Sequence, residues 1–141
     1  MSIFTPFEKD LLDLLLSGED PVLTCLSLQL KSAVVRCREY TGVGQYTTFE
    51  FTSPVKPLEG QPSFCFGDVL AKVDGVPSGV GCVLWIDQGL IDTLEIYTYQ
   101  EELPTDIQAF AVRYLTDSGL RDLETLRSTA GWPGSHCDPT D

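Results

Sequence analysis

The residues best suited to recognition or chemistry lie in the segment Leu90–Tyr99, where apolar and polar residues alternate as in a half-buried β-strand. When its apolar positions face the core, Glu95, Tyr97 and Tyr99 share the opposite face. Tyrosine side chains provide rigid contact area, and carboxylates complement a basic partner. The alternative is an ordinary solvent-exposed face, on which Thr and Tyr favour strand formation and Glu maintains solubility.

Further acidic residues flank this strand on both sides. Together with the strand they predict one surface that binds a basic protein. Its residues are Asp87, Asp92, Glu95, Tyr97, Tyr99, Glu101 and Glu102. A carboxylate-only magnesium or calcium site at Asp87, Asp92 and Glu95 is a weaker alternative, because the EF-hand loop pattern is absent.

The sequence offers few groups for catalysis. Its one histidine, His136, is adjacent to Cys137, but a nucleophilic pair needs a rigid scaffold. The segment Ala130–Asp141 contains two glycines and two prolines and resembles a frayed tail. We therefore predict no enzymatic activity and no catalytic residues.

Metal and cofactor sites are not indicated either. The five cysteines are dispersed singly, which predicts reduced thiols packed as small apolar residues rather than zinc ligands or disulfides. The glycine pairs in Thr41–Gly44 and Gly79–Gly81 do not extend to a phosphate-binding pattern. We predict no cofactor and no metal.

Acidic residues dominate the charge of the chain. Lys plus Arg number 9 against 21 Asp plus Glu, a net charge of −12. Residues 67–141 contain 4 basic and 13 acidic groups, or −9 of that total. Such a field repels nucleic acid and anionic membranes and attracts a basic protein. An acidic surface that only maintains solubility is the alternative.

The N-terminus, Met1-Ser2-Ile3-Phe4, lacks the basic and apolar regions of a signal peptide. No segment has the length of a transmembrane helix. We therefore expect a cytoplasmic protein.

Two helices are predicted near the N-terminus. Thr5-Pro6 with Glu8 forms a capping box for a helix over about residues 6–17, and Asp20-Pro21 starts a second through about Ala33. Together they predict a helical hairpin.

From Ala33 onward the apolar pattern changes to a period of two. Five strands are predicted, with short links that favour antiparallel neighbours. They are Val34–Thr41, Gln45–Thr52, Phe66–Val73, Val80–Asp87 and Leu90–Tyr99. The expected fold is α+β, with the helical hairpin packed on one face of a roughly five-stranded, mainly antiparallel sheet in two layers. We predict one domain over 1–115 and a C-terminal extension over 116–141, with a possible short helix followed by a flexible tail.

Two hairpin segments resemble a known pattern. Arg38–Phe49 matches RExTGVG followed by an aromatic residue, and Gly79–Tyr99 matches GVGxVLWxDxG…LExYTY. This combination is similar to a family of small uncharacterised bacterial proteins over about residues 10–105. The resemblance implies the fold and a bacterial origin. In type alone, the chain is also similar to the acidic immunity proteins of bacterial toxin systems.

The leading hypothesis is therefore a non-enzymatic protein-binding domain, most concretely an immunity-type antitoxin that masks a basic toxin. The alternative is a small ligand-binding or hydrolytic domain with a pocket between helices and sheet, in which Glu39 and Glu95 are the polar groups. A homodimer formed through the sheet edge is a third possibility.

Overall fold

The structure, a computed structural model, describes residues 3–133, so that His136 and Cys137 lie outside it. Over these residues the chain forms three helices and one seven-stranded sheet. None of the three helices is long and apolar enough to cross a membrane.

The first two helices each begin at a proline preceded by a capping side chain. Helix α1 spans Pro6–Leu15 and α2 spans Pro21–Leu30. In α1 the Thr5 hydroxyl accepts from the Glu8 backbone N–H, while the Glu8 carboxylate accepts from the Thr5 N–H, which completes the capping box. In α2 the Asp20 carboxylate accepts from two backbone N–H groups of the first turn.

All strand pairs in the sheet are antiparallel, and their spatial order is β1-β2-β6-β5-β4-β7. The strands are β1 (Ala33–Tyr40), β2 (Gly44–Phe51), β3 (Phe64–Phe66), β4 (Val69–Val73), β5 (Val76–Asp87), β6 (Leu90–Thr98) and β7 (Phe110–Tyr114). Strands β3 and β4 lie end to end along β5. A Cβ on Gly67, between them, would lie 2.0 Å from the Cys82 carbonyl oxygen, so this close approach requires glycine.

The helices cover one face of the sheet and leave the other uncovered by described residues. Helix α1 packs against β4 and β7, and α2 packs against β6. Alternate residues of the central strands fill the space between the layers, with Leu84 and Leu94 both 0% exposed. Burial, and secondarily the Asp68 charge, raise the pKa of the Cys82 thiol to about 12, so this cysteine is an apolar packing residue.

Residues after β7 return to the helical layer. The guanidinium of Arg121 makes two 2.9 Å hydrogen bonds to the Asp68 carboxylate. It also donates to the carbonyl oxygens of Leu14 at 3.0 Å and Ser17 at 2.6 Å. The last turn of α1 contains no basic residue, so Arg121 supplies the cation that caps it from a distance.

Trp132 completes the core from the C-terminal side. Its side chain is 1% exposed, and its ring contacts Phe64 and Phe66 edge-on at centroid distances of 5.5 and 5.0 Å. Its indole N–H donates to the Asp20 carboxylate at 3.3 Å. Asp20 thereby caps α2, binds Trp132 and accepts from Arg127 at 2.8 Å.

The predicted fold class is confirmed: an N-terminal pair of helices packs on a mainly antiparallel sheet. The strand count is seven rather than about five. The predicted strand Phe66–Val73 is interrupted at Gly67, and the apolar segment Ile107–Leu115 contains β7.

The C-terminal extension predicted over 116–141 contains a short helix, α3, over Leu123–Thr129. Its described part is packed against the domain predicted over 1–115, through Arg121 and Trp132. The prediction of a frayed tail from Ala130 did not anticipate the burial of Trp132.

The two tryptophans provide a matched test of this packing. We expect Trp132→Ala to lower the free energy of unfolding by about 3–5 kcal/mol, because it empties a core position and removes a hydrogen-bond donor to Asp20. Trp85→Ala, at a side chain that is 44% exposed, should cost about 1 kcal/mol. Urea unfolding followed by far-UV circular dichroism measures both. Equal losses would contradict a core role for Trp132.

Candidate functional site

Four aromatic side chains cluster on the uncovered face of the sheet, and we call them the aromatic patch: Tyr46, Trp85, Tyr97 and Tyr99. Tyr46, Trp85 and Tyr99 are 38%, 44% and 50% exposed. They belong to or follow β2, β5 and β6, which are neighbours in the sheet. Strand pairing therefore concentrates a large aromatic surface in one place.

Glu95 holds two members of the patch in position. Its Oε1 accepts from the Trp85 indole N–H at 3.1 Å, and its Oε2 accepts from the Tyr46 hydroxyl at 3.4 Å. The negative charge of Glu95 raises the pKa of Tyr46. The rings are thus oriented before a partner arrives.

Tyr97 lies across β5 because Gly81 leaves room for it. A Cβ on Gly81 would lie 2.4 Å from the Tyr97 Cζ atom. The ring of Tyr99 meets that of Tyr97 edge-on at 5.8 Å. Burial, followed by the proximity of Tyr99, raises the pKa of Tyr97.

A pocket of about 520 Å³ borders the patch at Trp85 and contains two of the predicted acids, Asp87 and Asp92. Asp87 accepts from the Ser63 hydroxyl at 3.2 Å, and Asp92 accepts from the Thr93 hydroxyl at 2.7 Å. No Lys or Arg lines this pocket. Aromatic walls with carboxylates at their edge suit a cationic side chain.

The remaining predicted residues lie at the opposite end of β6. Glu101 accepts from the Ser78 backbone N–H at 2.8 Å, and Glu102 is exposed. The structure therefore brings Glu95 and Tyr97 together, with Asp87 and Asp92 toward one end of the strand. Tyr99, Glu101 and Glu102 follow its other end.

Sequence reasoning missed Tyr46 and Trp85 as members of the surface. Tyr46 is on the same face as Glu95 because β2 pairs with β6, with these two residues directly opposite. Trp85 is hidden in the sequence by the nearly continuous apolar run of β5. The only sequence signal was alternation within β2, which does not reveal which strand is its neighbour.

Glu39, a polar group of the alternative hypothesis, lies on the same uncovered face. It is exposed on β1 opposite Tyr46, so that Glu39, Tyr46 and Glu95 form one row across three strands. The carboxylate that does lie between helices and sheet is Glu8, which is 1% exposed.

The Glu8 carboxylate accepts five hydrogen bonds. We call the residues that take part the Glu8 cluster: Thr5, Glu8, Arg38, Gln45 and Thr47. Arg38 donates to both carboxylate oxygens, at 2.9 and 2.7 Å. Gln45 donates to Oε2 at 2.9 Å and Thr47 donates to Oε2 at 2.8 Å. The Thr5 N–H donates to Oε1 at 2.8 Å.

These contacts determine the charge state of Glu8. Burial alone raises its pKa, but the hydrogen bonds from Arg38, the Thr5 backbone and Thr47 outweigh burial and hold the pKa below its ordinary value. The carboxylate stays ionised and its acceptor positions are occupied. Such a group stabilises structure and is poorly suited to proton transfer.

The described residues contain no group of three or more His, Cys, Asp and Glu side chains that could hold a metal ion. Asp87, Asp92 and Glu95 accordingly do not converge on one point. Each accepts hydrogen bonds from neutral side chains instead: Ser63 donates to Asp87, Thr93 to Asp92 and Trp85 to Glu95.

The lowered pKa of Glu8 gives stability a defined pH dependence. The ionised carboxylate contributes fully above its unfolded-state pKa near 4.5, and this contribution is lost as pH falls through the lower folded-state pKa. We expect Glu8→Gln to lower the free energy of unfolding by about 3–5 kcal/mol at pH 7, since Arg38 loses its partner. The loss should shrink toward pH 3.

Urea unfolding of wild type and Glu8→Gln between pH 7 and pH 3 measures this dependence. Asp13→Asn, at an exposed position of the same helix, is the control and should change stability by less than about 0.5 kcal/mol. A Glu8→Gln loss that is constant across the pH range would contradict an ionised Glu8.

No protein-family model, curated protein or solved structure matches this chain. The resemblance of its two hairpins to a bacterial family therefore stays a prediction. What the protein binds has to be inferred from the aromatic patch, the acids around it and the Glu8 cluster.

Proposed function

We propose that this chain is a non-enzymatic, cytoplasmic protein-binding domain, and specifically an immunity-type antitoxin that masks a basic bacterial toxin. The observation that carries the proposal is the aromatic patch whose Trp85 and Tyr46 are held by the carboxylate of Glu95. This arrangement combines contact area with negative charge on one uncovered sheet face.

The aromatic patch has the composition of an interface centre. Trp and Tyr contribute much of the binding energy in protein complexes, because they bury large areas with few rotatable bonds. The hydrogen bonds to Glu95 fix two of the rings in the free protein. Less side-chain entropy is then lost on binding, which strengthens the complex.

Charge selects the class of partner. The uncovered face carries Glu39, Glu50, Asp87, Asp92 and Glu95 around the patch. Of the basic strand residues, Lys72 on β4 and Arg113 on β7 lie at the other side of the sheet, and Arg36 lies exposed at the bulge of β1. Basic proteins are attracted to such a field at long range. Two copies of the chain would instead bring like charges together, which favours a basic partner over a homodimer.

Two matched double variants test the proposal. Asp92→Asn with Glu95→Gln removes two charges from the uncovered face, and Asp10→Asn with Glu19→Gln removes two from exposed positions in the helical layer. Wild-type protein is immobilised and then exposed to an extract of the native host. It should retain a basic protein, which added salt releases. The first double variant should bind that protein roughly tenfold more weakly, and the second should match wild type.

Growth provides the functional readout. Expression of the retained protein alone should inhibit growth of a bacterial host, and co-expression of wild type or of the helical-layer variant should restore it. The proposal fails if no basic protein is retained, if both double variants bind equally, or if the retained protein does not inhibit growth.

A further inference from the structure

A second cavity, of about 400 Å³, lies on the side of the sheet opposite the aromatic patch. It is bounded by the first turn of α1, by the hairpin of β1 and β2, and by the loop 105–108. Its volume is within the range of about 300–1,000 Å³ that is usual for small-molecule sites.

The wall of this cavity is mostly apolar, and its loop is anchored. Phe7, Ile96, Ile107 and Phe110 line it. The Tyr40 hydroxyl donates to the carbonyl oxygen of residue 105 at 3.2 Å, which ties the loop to β1. No Lys or Arg is among the lining residues, so the cavity has no group that would hold an anion.

Gln45 supplies an unused acceptor here. Its side-chain nitrogen donates to Glu8 at 2.9 Å and to Thr47 at 2.8 Å, while the residue is only 6% exposed. Because a carboxylate can only accept, the amide nitrogen must face Glu8, which fixes the orientation of the amide group. The Oε1 atom then accepts no hydrogen bond from any described residue.

The position of this oxygen follows from the rest of the molecule. Among the described residues, every fully enclosed side-chain nitrogen or oxygen has a hydrogen-bond partner. Since Oε1 of Gln45 has none, it must reach accessible space, and Gln45 lines this cavity. Gln45 as a whole is 6% exposed, so this oxygen is an acceptor at the wall of the cavity that a donor bound there can reach.

We propose that this cavity binds a small uncharged molecule in which an aromatic or branched aliphatic body carries an O–H or N–H donor. The donor bonds to Oε1 of Gln45, and the body lies against Phe7, Ile96 and Ile107. Glu8 does not select a cation, because five donors occupy its carboxylate and Arg38 neutralises it. The other lining carboxylate, Asp106, is exposed to water and accepts from the Gln108 side-chain amide at 2.9 Å. This site is separate from the aromatic patch and does not depend on the proposed antitoxin function.

Phenol and anisole form a matched probe pair, since anisole has the same ring and no hydroxyl donor. Titration into ¹⁵N-labelled protein should shift the side-chain amide signals of Gln45 and the backbone signal of Ile107. We expect phenol to bind roughly three- to tenfold more tightly than anisole, the difference that one net hydrogen bond makes.

Two variants locate the binding. Ile107→Trp fills the cavity at a half-buried position and should abolish the phenol-induced shifts, while the overall spectrum confirms that the protein is folded. Tyr46→Phe removes a hydroxyl from the other face of the same strand and should leave phenol binding unchanged. Equal affinities for phenol and anisole, shifts confined to the aromatic patch, or unchanged binding in Ile107→Trp would each overturn the proposal.

Discussion

A carboxylate that loses its water on burial is stable only if donors replace that water, and the position of α1 depends on this requirement. Glu8 meets it with Arg38 from β1 and two donors from β2, in addition to its own capping box. Asp20 plays the equivalent part for α2, where it binds Arg127 and Trp132. Each helix start is thereby fixed to a distant part of the chain, and the positive end of each helix dipole faces a negative charge.

The internal ion pairs also determine which residues carry the net charge of the molecule. Glu8, Asp20 and Asp68 are each paired with an arginine, so these pairs are neutral. The net charge of −12 is therefore carried by the other residues of the chain. Because surface charges are separated mainly by water, they contribute little to folding stability, and their chief effect is on which molecules approach.

Local features of this fold could be predicted from sequence, and contacts between distant segments could not. The caps at Thr5 and Asp20 and the alternation around Glu95 depend on neighbouring residues alone. The partners of Glu8 on the sheet are 30 to 39 residues away, and only strand pairing brings them to it. Trp132 lies within a Gly- and Pro-containing segment, whose composition hides its burial. Sequence analysis thus identified the part of the candidate site that lies on β6. The complete surface is formed by three strands, β2, β5 and β6.

Strand β2 serves both sides of the sheet with consecutive residues: Gln45 and Thr47 reach the buried carboxylate, while Tyr46 between them reaches Glu95. A shift of its pairing by one residue would turn the tyrosine inward and the amide outward. Such a slip would leave Glu8 short of donors and remove a ring from the opposite surface in the same step. The backbone of β2 thus couples the two sites, and an insertion or deletion within this strand would alter both.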